Sequence, residues 1–504
     1  MKERSSFLKK RSKRLLYVWY RVRCRRVLKG PTDKNLFASF SSEKEESYLC
    51  FFAFFFLLLS TSAYCACPGY SQCPPMDYLA PSAGIPAHLA QIDAAETAAI
   101  GRFHTKQIFP SLVGNLGEIL FFDKNLSVNR NEACAFCHSA SAGFHSDLPA
   151  LKTVGSVFPG SLRTRLGFRV PQSAAYAAFA PVFTYDSQRQ NFYGGNFWDG
   201  RATGKEHAYS PALQQAMEPF TNSLEMALPD GACVLRRVEL GAYSAEYRLM
   251  WGAKVFDITW PANIDQVCAQ PAGRVGQKEI PFAPAERAKI NAAFKQLATT
   301  IVTFELSLRA SPFSSKFDAW LSGTADLSPQ EKLGYDLFTG KAGCAACHSA
   351  VGPRPLFTNF SYARLDLPKP AIDVYLDEDQ KDADRYIANP LGHHFVDRGL
   401  GGVLAKSANP EWRAQAAKFE GAFMVPGLRN VTSEAAPAYM HNGSFSNLAE
   451  VVHFFNVVGI PKESANRARI KAGVLGLTPD DESAILAFLD TLKDGFYQPG
   501  GNYN

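Results

Sequence analysis

The chain has 504 residues, of which 46% are hydrophobic and 20% charged, the make-up of an ordinary globular protein long enough for two or three domains with cores of their own. Its formal net charge of +6 is concentrated at one end: residues 1–30 carry 12 Lys/Arg and one acid, Glu3. Without residues 1–66, Lys+Arg falls by 14 to 39 and Asp+Glu by 5 to 42, leaving about −3, so the basic run is no argument for nucleic-acid binding.

Behind the basic run lies an apolar stretch of 11 residues, 49–59 (LCFFAFFFLLL), followed by small residues at 60–63. It is too short to span a bilayer. The three parts together read as an export leader over residues 1–66, cleaved between Ala63 and Ala66, which leaves no transmembrane span in the mature chain. The basic region is long for a leader, as it would be if the true start lay downstream. Cys67 makes only a poor lipoprotein-type site. Residues 67–95 are rich in Pro, Ala, Ser and Gly and read as an irregular lead-in.

Two stretches then resemble each other. LGEILFFD (116–123) precedes Cys134-Ala-Phe-Cys137-His138, and LGYDLFTG (333–340) precedes Cys344-Ala-Ala-Cys347-His348. A short helix leads into each motif, and the 210-residue separation of the two copies suggests two related domains rather than a tandem array. Between them, Ile290, Phe294, Leu297, Ile301 and Phe304 form an apolar stripe at helical spacing. Ser328-Pro329-Gln330-Glu331 has the N-cap Ser, first-turn Pro and Glu of a capping box, and Thr478-Pro479-Asp480-Asp481 opens a last helix through Leu489 in the same way. Residues 150–200 and 350–430 are rich in Pro and Gly and read as long loops that serve a site or wrap a cofactor. Few segments alternate with period two, so the fold expected is mainly α.

Of 11 cysteines, five lie in or just after the leader and four in the two CxxC pairs. Cys233 and Cys268 remain, and read either as a disulfide or as two buried thiols. The CxxCH motifs carry the chemistry. Two cysteines three positions apart can each add to a vinyl group of one haem, and the next residue, His, then lies under the iron as axial ligand. A four-cysteine zinc site needs no His at the same offset in both copies, and a thioredoxin-like motif belongs on an α/β pattern that is missing here. Two chance copies are negligible.

Further stretches add to the motifs: Asn196-Phe-Trp-Asp-Gly-Arg201-Ala, Gln215-Ala-Met-Glu-Pro219 with Glu225-Met226, Leu356-Phe-Thr-Asn-Phe-Ser-Tyr362, and Val425-Pro-Gly-Leu-Arg-Asn-Val431 running into Tyr439-Met-His-Asn-Gly443. In this order around two CxxCH motifs, the chain resembles the bacterial di-haem cytochrome c peroxidases and their methylamine-utilisation relatives, which oxidise a protein substrate. The resemblance covers most of residues 110–495. It implies two cytochrome c-like domains, residues 97–310 and 311–504, each with one covalently bound haem c. The first is the peroxidatic domain and the second takes electrons from a small periplasmic donor, a cytochrome c or a copper protein.

By the same resemblance Cys134, Cys137 and His138 hold the peroxide haem, and Cys344, Cys347 and His348 the electron-transfer haem. Trp198 lies between the haems; Glu225 is the distal acid–base carboxylate and Gln215 its neighbour. Chemistry agrees for Glu225: splitting the O–O bond of hydrogen peroxide at iron needs a group that moves a proton between the two oxygens, and a carboxyl in an apolar pocket does this near neutral pH. The alternatives are an enzyme that turns the same oxidant on a protein side chain, and a plain electron-transfer cytochrome, against which Gln215 and Glu225 at family spacing speak.

Three departures stand out. The loop 155–195 contains no His, whereas members that need reductive activation have one there; the nearest is His145, so the peroxide iron is expected to be open at rest. The Asn before Pro of the family's inter-domain calcium site is replaced around Arg169-Val170-Pro171, and an extra Ala appears in Ala436-Pro437-Ala438-Tyr439. Finally, the position 14 residues after His441, where the resemblance places a Met or Tyr iron ligand, is Phe455. Leu448, Val451, Val452 and Phe455 form an inward stripe from which His453 points away, while Met440 is read as a packed apolar side chain.

Overall fold

The computed structural model describes residues 108–148, 151, 158–205, 210–370, 372–433, 438–458 and 475–496; the leader and the lead-in lie outside them. Helices carry the fold. The 22-residue helix Pro284–Glu305 is the centre of the first core. Its stripe Ile290, Phe294, Leu297, Ile301 and Phe304 is buried, and Ala293, Ala298, Thr300 and Val302 are buried beside it, so its C-terminal half is surrounded. Around it pack Ile108–Phe121, Pro211–Thr221 and Gly231–Glu239. Each large apolar side chain removed from water in this way contributes about 1.5–3 kcal/mol.

The repeated Leu-Gly motif has a packing explanation. Gly117 lies where Ile108–Phe121 crosses Pro284–Glu305, and a Cβ there would run into the Thr300 carbonyl. Gly334 lies where Pro329–Thr339 crosses Pro479–Asp490, and a Cβ there would run into the Ala484 carbonyl. Each pair of helices is thus in contact backbone to backbone, and each leads into a CxxCH. Both expected capping boxes are present, Ser328 with Glu331 and Thr478 with Asp481. The second core gathers Phe317, Phe338, Phe357 and Phe488, whose rings meet mostly edge to face.

The Pro- and Gly-rich stretches hold more regular structure than a loop reading allows. Two antiparallel pairs form there: β1 (Thr184–Asp186) with β2 (Asn191–Tyr193), and β3 (Tyr362–Arg364) with β4 (Ala422–Met424). A bridge from Tyr193 to Ser361 joins the two pairs. Helices Gly399–Ala405 and Pro410–Ala414 complete the segment. Glycine disfavours a helix, but Leu400 and Leu404 are fully buried against Phe183, Phe192, Tyr362 and Phe419, and packing overrides propensity. Gly401 is also required there, since a Cβ would meet the Glu420 backbone. Cys233 and Cys268 are bonded, which decides between the two readings left open by the sequence. Among the described residues no helix is long and apolar enough to cross a membrane.

Candidate haem-binding sites

Around the second CxxCH lies a largely apolar cavity of about 300 Å³. Gly343 in the left-handed region turns the chain into a one-turn helix, Cys344–Ala346, and the His348 amide donates to the Cys344 carbonyl at 2.9 Å. Both thiols and the imidazole therefore face one space. His348 Nδ1 is 2.9 Å from the Phe357 carbonyl, so it carries the proton and leaves Nε2 free as a metal donor. The helix Leu448–Val458 forms part of the wall, and Leu448, Val451, Val452 and Phe455 all line the cavity. His453 is exposed and sits 3.0 Å from Glu482. The helix phase is as expected. Met440, in the left-handed region at φ 67°, also lines the cavity, as does Tyr439, whose hydroxyl donates to the Val431 carbonyl at 3.2 Å.

The first CxxCH forms a helical turn, Cys134–Cys137, with the His138 amide donating to the Cys134 carbonyl at 2.9 Å. Glu225 lies near enough to act electrostatically on both thiols. Its Oε1 accepts from the Asn222 side-chain Nδ2 at 2.9 Å. Burial raises its pKa to about 7, with Arg201 opposing and Glu218 adding. Gln215 is half-buried on the helix Pro211–Thr221; its neighbour Gln214 is used structurally, holding the Gly204 amide and the Arg201 carbonyl.

Two further carboxyls, not singled out in the sequence, belong to this site. Glu132 is buried and pushed up to about 8 by burial, with Glu225 adding and Arg163 opposing. Glu305 is pushed up to about 8 by burial alone. For Glu305 a signal existed: it falls four residues after Ile301, inside the buried arc of its helix. Glu132 has no such signature.

Trp198 is the residue expected between the two centres. Its indole N–H donates to the Val170 carbonyl at 2.8 Å, its own carbonyl accepts from the Met424 amide at 2.8 Å, and its ring meets His441 edge-on at 6.3 Å. It also lines the cavity of the second centre. His145 is held beside His138 by a tight turn, in which the Ser139 amide donates to the His145 carbonyl at 2.9 Å. Its ring faces the Arg429 carbonyl, and burial pushes its pKa down to about 4. Beside Trp198, Arg169 pairs with Asp199 at 2.7 Å and with both oxygens of Asp397 at 2.7 Å.

Comparison with known proteins agrees with this layout. The profile of the di-haem cytochrome c peroxidase family matches residues 113–326. Over 407 residues the chain is 31% identical to the methylamine utilization protein MauG of Paracoccus denitrificans, covering 76% of this chain and 89% of that one. The chain belongs to the di-haem cytochrome c peroxidase family. The cytochrome-c peroxidase IdrP1 of Denitromonas iodatirespirans is 26% identical, over 75% of this chain and 80% of the relative. The diheme peroxidase BthA from Burkholderia thailandensis shares the fold, with a TM-score of 0.57 at 24% identity over 78% of this chain and 87% of that one.

Membership implies two c-type haems, and the residues present fit them: two thiols and one imidazole converge at each motif, and at the second the imidazole is already oriented by Phe357. The family's inter-domain calcium site, whose Asn is replaced around Arg169, meets an arginine between two carboxylates here. Asp199 and Asp397, the carboxylates at that place, are already engaged by the Arg169 guanidinium. Residues 434–437, where the extra Ala falls, lie outside the described residues.

Proposed function

We propose that this member of the family is a peroxidase that reduces hydrogen peroxide to water, exported to the periplasm and supplied with electrons by a small cytochrome c or copper protein. Residues 97–310 form the peroxidatic half and 311–504 the electron-transfer half; their separate apolar cores, one from Val113 to Ala310 and one from Phe317 to Leu492, support the division. His138 and His348 are the iron ligands, and Cys134, Cys137, Cys344 and Cys347 the attachment points. The bound haem supplies the iron at which the O–O bond breaks.

The observation that carries the reading is Glu225, a half-buried carboxyl beside the first CxxCH whose pKa is raised to about 7. Its carboxylate takes the proton from one peroxide oxygen and returns it to the other, which leaves as water. Asn222 holds Oε1, leaving Oε2 for the transfer. Gln215 orients the peroxide, and Trp198 lies on the electron path from the His348 centre. The His145 ring faces the Arg429 carbonyl and lines the cavity of the second centre, which supports an iron open to peroxide at rest.

The 31% identity to a methylamine utilization protein favours a second reading, in which the same oxidant acts on a protein side chain. The deciding experiment mixes fully oxidised enzyme with peroxide and then supplies either reduced cytochrome c or copper protein, or candidate protein substrates. Sustained oxidation of the reduced donor supports the peroxidase. Peroxide consumption only alongside covalent change in a protein substrate supports the second reading. Consumption in neither case overturns both, leaving an electron-transfer cytochrome.

A further inference from the structure

We infer that Arg169 is the resident cation of the region between the two centres: its guanidinium, tied to Asp199 and Asp397, takes the place of a divalent ion and clamps Trp198, so that this chain needs no calcium there. The first support is the donor arithmetic. Calcium takes about 6–8 oxygen ligands. Here Asp397 receives Nε and Nη2 of Arg169, and its Oδ1 also accepts the Gly399 amide at 3.0 Å. Asp199 receives Nη1 of Arg169, and its Oδ1 accepts from Arg201 Nη1 at 3.1 Å and from the Arg201 amide at 3.2 Å. Each of the two carboxylates is thus already paired with a guanidinium, and Arg201 also holds Glu218 at 3.1 Å. A divalent ion would have to displace Arg169 and then sit against Arg201.

The second support is position. Arg169 precedes Val170, whose carbonyl holds the Trp198 indole and whose amide donates to the His441 carbonyl at 2.9 Å. The Arg169 side chain holds Asp199, the residue after Trp198. Trp198 is therefore gripped through its ring and through its backbone neighbour by two consecutive residues. The guanidinium also lies 5.6 Å from the centre of the Phe423 ring, which stacks on His441 at 3.5 Å. The bidentate pair with Asp397 crosses from the first half of the sequence to the second, as a bridging ion would. Arg suits this place because its planar fork meets a carboxylate with two parallel hydrogen bonds. Lys, a point charge, would not hold both acids in one plane.

Arg169 acts here as a positioning residue. Its effect on turnover rests on the electron path proposed above; the calcium readout does not. The holoprotein is dialysed against EGTA, and its calcium content, haem absorption and electron paramagnetic resonance spectra and thermal midpoint are measured with and without added calcium. The wild type should hold no stoichiometric calcium and respond to neither reagent. Arg169→Asn leaves two carboxylates with an added amide oxygen, and should bind about one calcium per chain, with spectra that EGTA alters and calcium restores. Arg169→Gln should lose about tenfold or more in turnover, with Arg169→Lys recovering part of it. A wild type that retains one calcium through dialysis, or whose spectra change on chelation, overturns the inference. So does an Arg169→Gln protein that matches the wild type in spectra and midpoint. If Arg169→Asn does not fold, the wild-type measurements and Arg169→Lys decide the matter. Failure of turnover in the wild type itself, with these spectra as expected, would count against the peroxidase reading and not against this one.

Discussion

At the scale of single residues, Glu225 carries the sharpest expectation. Ionised, it accepts the peroxide proton; protonated, it does not. With a pKa raised to about 7, mainly by burial, the rate of reaction with peroxide should fall as the pH drops below about 7 and level off above it. Glu225→Gln should lower peroxide turnover about 10²–10⁴-fold and abolish that limb of the profile, with both haems still attached. Near-normal turnover in the variant would remove Glu225 from the mechanism. A second expectation concerns the helical wall of the C-terminal cavity. Phe455 lines it where a donor atom would be needed, and His453 faces solvent beside Glu482. The iron held by His348 should therefore be five-coordinate or water-bound. A near-infrared thioether–iron band in the oxidised protein, lost in Met440→Ala, would show instead that Met440 is the ligand.

At the scale of elements, the two helix crossings are the joints of the fold. Gly117→Ala and Gly334→Ala each drive a methyl group into the carbonyl of a partner helix, which only a shift of the helices relieves. Each should cost roughly 1–3 kcal/mol or more. Gly114 offers a control on the same helix as Gly117, because a Cβ there meets nothing closer than 3.8 Å. Gly114→Ala should be neutral, or stabilising by up to about 1 kcal/mol through helix propensity. Denaturant midpoints of the three variants test this: equal shifts for Gly114 and Gly117 would mean that helix propensity, not the crossing, sets the effect.

At the scale of the molecule, two buried carboxyls and one half-buried carboxyl lie near the first CxxCH. Glu132 and Glu305 are raised to about 8 and Glu225 to about 7. A carboxyl with a raised folded-state pKa binds its proton more tightly folded than unfolded. The stability it contributes is complete below the unfolded value and is lost as pH rises through the folded one. Two half-buried histidines act in the opposite sense: His145 and His441, pushed down to about 4, add stability as pH rises, but this gain is complete near pH 6.5. Between about pH 6.5 and 8 the slope therefore belongs to the carboxyls, at up to about 2 kcal/mol per group. The thermal midpoint should fall across that window, and Glu305→Gln should flatten it. A midpoint that rises there would contradict the assignment.

What the sequence by itself determined is what depends on short range. Covalent chemistry requires Cys, Cys and His at fixed offsets, so both haem motifs were legible, as were the capping boxes and the phase of Leu448–Val458, because helical periodicity is a local rule. Tertiary structure alone decided whatever needs distant residues to meet. Arg169 finds Asp199 30 residues away and Asp397 228 residues away, and neither separation has a periodic signature. Glu132, Glu225 and Glu305 converge on Cys134 from three separate segments, and their shifted titration exists only once water is removed from all of them together. The short helices of 399–414 are set by the burial of Leu400 and Leu404 against the helix-averse glycines beside them. Such choices are made by packing and desolvation, which are properties of the assembled core and not of any window of the chain.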